Sequence, residues 1–140
     1  MAVKRRNGTL DQSRCPLILV VDDDRAIREF LIIMLEEEGF ATVGAGNGRE
    51  ALRIAAVEPP SLVVSDIMMP HLDGYELVAQ LRRDPKLRSV PVILTTAARR
   101  ARQVDVPLFH KPFDIDQLLA AIVAQTEWVH RWPNRAIAGV

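Results

Sequence analysis

The apolar positions of this chain change period several times along its length. LILVV at 17–21 is branched and apolar without a polar break, the pattern of a strand covered on both faces. Over 25–38 the apolar residues Ile27, Phe30, Leu31, Met34 and Leu35 recur at helical spacing, and Gly39 supplies a stop. FATVGA at 40–45 reads as a second strand. REALRIAAVE at 49–58 lies between the Asn47-Gly48 turn and Pro59-Pro60 and reads as a second helix. SLVVSD at 61–66 predicts a third strand and DGYELVAQLRRD at 73–84 a third helix. VPVILTT at 90–96 predicts a fourth strand and VPLFH at 106–110 a weaker fifth. A last amphipathic helix spans 114–129, with Ile115, Leu118, Leu119, Ile122 and Val123 as its apolar face. Covered strands that alternate with helices predict an α/β fold, a doubly wound parallel sheet of five strands with helices on both faces.

Composition narrows the class further. The 140 residues predict one domain, long enough to bury a core. Formal net charge is +0, so nothing global points to nucleic acid. The single cysteine, Cys15, excludes an internal disulfide and fits a reducing, cytoplasmic setting. No apolar run approaches the roughly 20 residues of a membrane span, and the basic N-terminus has no apolar stretch behind it as a signal peptide would. Residues 1–15 read as a flexible tail, 16–127 as the domain, and 128–140 as an extension too short for an output domain. Trp128 and Trp132, four apart in that extension, would share a helical face.

Ligands of open α/β sheets bind beyond the carboxyl ends of the strands. Strand one ends in Asp22, Asp23 and Asp24, strand three in Asp66, strand four in Thr95-Thr96, and strand five runs into Lys111. Carboxylates, a hydroxyl and an ammonium would therefore meet on one rim. Clustered carboxylates repel unless a cation joins them, and Mg²⁺ suits a few carboxylates plus water and phosphate. A lone carboxylate beside such a cation can act as a nucleophile toward phosphorus, with a hydroxyl and an ammonium stabilising the phosphoryl oxygens. Taken singly, each residue has a plainer role. Asp66 reads as a turn residue, Asp24 as the cap of the first helix, and Thr95 as a strand residue facing away from Thr96. Asp73-Gly74 reads as a helix start with no chemistry, Met68-Met69 as packing or partner contact, and His71 and His110 as structural.

LILVVDDD, LVVSDIMMPHLDGYEL, PVILTTA and KPFD, in this order over 16–126, make the chain resemble the receiver domain of bacterial two-component response regulators. The resemblance implies a flavodoxin-like sheet of order 2-1-3-4-5. It implies that Asp66 accepts a phosphoryl group from a histidine kinase or a histidine phosphotransfer protein. Asp22, Asp23 and Asp66, with the backbone carbonyl of Met68, would hold Mg²⁺. Thr96 would bond the phosphoryl oxygen and reorient on phosphorylation, and Lys111 would pair with the group, ahead of a cis bond to Pro112. The downstream partner would be another protein, with no direct nucleic acid or membrane contact. Two features depart from the family. Only 97–105, AARRARQVD, are left for the crossover between strands four and five, shorter than the family's by roughly two helical turns. A stub helix or an extended loop is therefore expected there. The family's aromatic switch position, three residues before the lysine, is Leu108, and alternation sends Phe109 to the other face. Output would then run through another surface, or through the loop bearing Arg99, Arg100 and Arg102. Two alternatives stay open: a haloacid-dehalogenase-like phosphohydrolase using Asp22 and Asp24, and an unphosphorylated pseudo-receiver that only binds proteins.

Overall fold

The computed structural model describes residues 15–127. The N-terminal residues 1–14 and the extension with Trp128 and Trp132 lie outside the described residues. The elements follow the apolar pattern in order: β1 Leu17–Val21, α1 Arg25–Glu37, β2 Ala41–Ala45, α2 Gly48–Val57, β3 Leu62–Asp66, α3 Gly74–Arg83, β4 Val92–Thr96, β5 Leu108–His110 and α4 Ile115–Thr126. All five strands pair in parallel, in the order β2-β1-β3-β4-β5.

Local chemistry fixes the helix ends. Asp24 caps α1 by accepting from the amides of Ala26 and Ile27, as expected of it. Gly39, at φ 96, lets the chain turn into β2 in a left-handed conformation that a side chain disfavours. Asp73 and Glu76 form a reciprocal capping box at the start of α3.

Alternation along each strand builds two cores. Leu19, Val21, Val63 and Leu94 face α2 and α3, where Ala51, Ala55, Leu77 and Leu81 complete one cluster. Ile18, Val20, Val64 and Ile93 face α1 and α4, where Leu31, Leu35, Leu118 and Ile122 complete the other. With β3 and β4 buried along their whole length, the sheet is a rigid floor under its own rim.

The crossover from β4 to β5 is an extended loop, one of the two forms expected of its length, with no helix in 97–107. Leu108 packs into the core facing α2 and α3, whereas Phe109 packs into the opposite one, as strand alternation requires.

Candidate functional site

β1 and β3 are neighbours from which the chain winds outward in both directions, and their carboxyl ends open at that switch point. Asp22 follows β1 and Asp66 ends β3, so the topology alone brings two carboxylates together. Carboxylate oxygens of Asp22, Asp23 and Asp66 lie within 4.8 Å of one another. Asp22 and Asp66 are buried, while Asp23 is exposed and leaves the cluster open to solvent on one side.

Lys111 reaches this cluster because its amide donates to the Thr96 carbonyl at 2.7 Å, continuing the β4–β5 ladder. Its Nζ donates to Asp22 Oδ2 at 3.0 Å and lies 3.4 Å from Asp66 Oδ1. The second distance is an ion-pair contact, not an aligned hydrogen bond, so Asp66 Oδ1 is a buried acceptor without a hydrogen-bond donor. Both oxygens of Asp22 are engaged: Oδ1 accepts from the Asp24 amide at 2.9 Å. Of the two buried carboxylates, Asp66 is thus the one with reactive capacity left over.

Burial pushes the Asp66 pKa above its ordinary value, and repulsion from Asp22 adds to this, with Lys111 pulling the other way. Burial also disfavours the Lys111 charge, but its hydrogen bond to Asp22 and the attraction of Asp22 and Asp66 outweigh it, so its pKa is raised. The site is short of positive charge: one ammonium faces three carboxylates. A hard divalent cation fits the donor set, which is all oxygen, and would relieve the repulsion that adds to burial in raising Asp66.

Thr96 is fully buried, and its Oγ1 accepts from the Ala98 amide at 3.1 Å. A cleft of about 380 Å³ opens beside it, lined by Ile67, Met68, Tyr75, Thr96, Ala98, Arg100, Ala101 and Arg102. Thr96 lines this cleft and Thr95 does not, as alternation predicts. His71 and His110 are exposed and outside the acidic cluster. Met69 packs in the core, whereas Met68 stays exposed at the cleft. The Lys111–Pro112 bond is cis.

Sequence reasoning missed two supports. Arg28 Nη1 donates to the Asp22 carbonyl at 2.7 Å, fixing the backbone that carries the cluster. The signal was a polar residue beside Ile27 on the sheet-facing side of α1. Gly74, read as a helix start only, packs against the Asp66 carbonyl: a Cβ there would stand 2.7 Å from that oxygen.

A family model described as the response regulator receiver domain matches residues 18–123. The chain belongs to the response regulator receiver family. It is 41% identical over 114 residues to the response regulator MprA of Mycolicibacterium vanbaalenii, covering 76% of this chain and 48% of that protein. It is 38% identical over 113 residues to the response regulator Rre1 of Synechocystis, covering 75% of this chain and 49% of that protein. The receiver thus spans about half the length of these two relatives. Among solved structures it resembles the signal receiver domain of a histidine kinase from Syntrophus aciditrophicus, with TM-score 0.75, 34% identity and coverage of 81% and 91%. It also resembles the response regulator TrrA of Thermotoga maritima in complex with Mg²⁺-BeF, with TM-score 0.71, 34% identity and coverage of 79% and 98%. Among the described residues no helix is long and apolar enough to cross a membrane.

Proposed function

We propose that this receiver is the phosphoacceptor switch of a two-component relay. Asp66 takes a phosphoryl group from the phosphohistidine of a histidine kinase or a histidine phosphotransfer protein. A carboxylate oxygen of Asp66 attacks phosphorus, the P–N bond breaks, and the electron pair leaves with the imidazole. The product is an aspartyl phosphate, which signals to a partner protein or passes its group onward. One observation carries this reading. Asp66 is buried at a strand tip with Oδ1 lacking a hydrogen-bond donor, beside two further carboxylates and the Lys111 ammonium.

Asp22, Asp23 and Asp66, with the Met68 carbonyl, would hold Mg²⁺. Bound there, the ion neutralises the carboxylates and lowers the cost of bringing an anionic phosphoryl group among them. Lys111 pairs with the phosphoryl oxygens, and Thr96 donates to one of them, its side chain turning away from its present contact with Ala98. The chain is no enzyme in the usual sense, because the group it activates is its own side chain. The phosphohydrolase reading loses its second carboxylate, since Asp24 is engaged as the cap of α1.

Intact-mass spectrometry with Mg²⁺ and acetyl phosphate tests this. Wild type should gain one phosphoryl group and Asp66→Asn none. Transfer kept in Asp66→Asn but lost in Asp22→Asn would move the nucleophile to β1.

The donor protein would dock on the exposed apolar side of α1. Phe30 and Ile33 are 48% and 55% exposed on α1. With Ala26 they form an apolar stripe that begins beside Asp23 and suits a partner helix. Phe30→Ala with Ile33→Ala should lower kcat/KM for a protein phosphodonor by about tenfold. Phosphorylation by acetyl phosphate should stay at the wild-type rate. Equal loss with both donors would place the defect in the site instead of the docking face.

A further inference from the structure

The shortened crossover of this chain is pinned to α3. The Arg102 amide donates to the Tyr75 hydroxyl at 2.8 Å. The Arg102 guanidinium lies over the Tyr75 ring, 4.0 Å from its centroid. Further along, Arg82 on α3 pairs with Asp105 at 3.0 Å. The other end of the same loop is tied to the site, where the Ala98 amide donates to Thr96 Oγ1 at 3.1 Å. Only residues 99–101 separate the two tethers. Tyr75 itself is held firmly, because it follows Gly74, whose amide donates to the Ile67 carbonyl at 2.8 Å just past Asp66. It therefore bridges the acceptor turn after β3 to the loop after β4, across the cleft that both line. The position that would carry an aromatic side chain on β5 is Leu108, which offers no hydrogen bond of its own.

We infer that Tyr75 is a positioning residue for the phosphorylation of Asp66: its hydroxyl holds the crossover loop, and through Ala98 holds Thr96, in the unphosphorylated arrangement. The inference rests on the phosphoacceptor reading above. A phosphoryl group on Asp66 recruits the Thr96 hydroxyl as a donor. Reaching the phosphoryl oxygen turns the Thr96 side chain and carries Oγ1 away from the Ala98 amide, so the loop shifts and the Arg102 amide is drawn off Tyr75. Whatever weakens the Tyr75 tether favours the phosphorylated state, because the tether exists in only one of the two states.

The experiment is amide hydrogen exchange by NMR on the full chain, with and without Mg²⁺ and beryllofluoride, alongside phosphorylation rates with acetyl phosphate. The Arg102 amide of wild type should be protected, and beryllofluoride should abolish that protection. In Tyr75→Phe it should exchange freely in both conditions, while phosphorylation speeds up roughly two- to tenfold, the worth of one net hydrogen bond. Arg102→Ala, which keeps the amide and loses the ring contact, should give a smaller rise. A merely structural tyrosine would change the melting temperature without raising the rate. Intact mass keeps the two readings apart. An adduct on Asp66 with no change at the Arg102 amide overturns the tether and leaves the phosphoacceptor standing. A wild-type rate in Tyr75→Phe overturns it too. No adduct at all removes both.

Discussion

Lys111→Met is expected to slow phosphorylation of Asp66 by about 10²-fold and to make the metal-free fold markedly less stable. The rate follows from charge. Lys111 is the cation paired with the Asp22 and Asp66 carboxylates, and removing one preorganised donor from a developing oxyanion typically costs about 10²–10³-fold. Stability follows from burial. The Asp22 and Asp66 side chains are only 2% and 8% exposed, and Lys111 only 15%. Deleting one partner of a buried pair leaves uncompensated charge, at a cost of about 3 kcal/mol or more. The pH dependence has a definite sign. The Asp66 pKa is raised even with the lysine in place, so its ionised form opposes folding, and that penalty is present above the folded pKa and absent below the unfolded one. Removing the lysine raises the Asp66 pKa further, so the mutant's deficit should be largest at neutral pH and shrink as pH falls into the carboxylate range. The stabilising share of Lys111 itself is fully present below the ordinary lysine pKa and lost as pH rises through its raised folded value. Urea unfolding at several pH values checks this. Added Mg²⁺ should restore part of the loss, and Lys111→Met with Asp66→Asn should unfold later than Lys111→Met alone. A lysine mutant as stable as wild type at neutral pH would mean the carboxylates are more hydrated than their burial indicates.

Much of this site was legible in the sequence because it is built from strand ends. A run such as LVVSD sets both a covered strand and the residue at its tip, so parallel pairing alone gathers Asp22, Asp66 and Thr96. Lys111 was legible for the same reason, through β5. The shortness of the crossover was legible from chain length, since only nine residues, 97–105, are left for it, but length alone did not choose between a stub helix and an extended loop. Long-range contacts between unlike elements were not legible. Tyr75 and Arg102 are 27 positions apart, and their meeting depends on how the crossover lies against α3. Arg28 gave only a weak signal, because a half-buried arginine on an amphipathic helix looks like a boundary residue until its acceptor is known. Gly74 looked like turn punctuation, because a missing side chain does not announce what stands in its place.

That missing side chain gives the other large effect. Gly74→Ala is expected to destabilise the fold by about 2 kcal/mol and to slow phosphorylation of Asp66. A Cβ built there lies 2.7 Å from the Asp66 carbonyl oxygen, 2.8 Å from Ile67 Cα and 3.2 Å from Leu94 Cδ2. The two closest atoms are backbone, so no rotamer change relieves the clash. Either α3 backs away from β3, losing the bond from the Gly74 amide to the Ile67 carbonyl, or the turn after Asp66 moves. Overpacking of this kind typically costs about 1–3 kcal/mol, and the gain in helix propensity offsets at most about 1 kcal/mol. Gly46→Ala is the matched control, because its Cβ would meet Arg28 Nη1 at 3.6 Å and Glu50 Oε1 at 3.8 Å, ordinary contacts. Thermal melts of the two variants beside acetyl-phosphate kinetics separate the cases: Gly46→Ala should track wild type while Gly74→Ala loses both stability and rate. If Gly74→Ala instead melts and reacts like wild type, α3 can slide off the acceptor turn at no cost. Tyr75, one residue further along that helix, would then be no fixed anchor for the crossover loop.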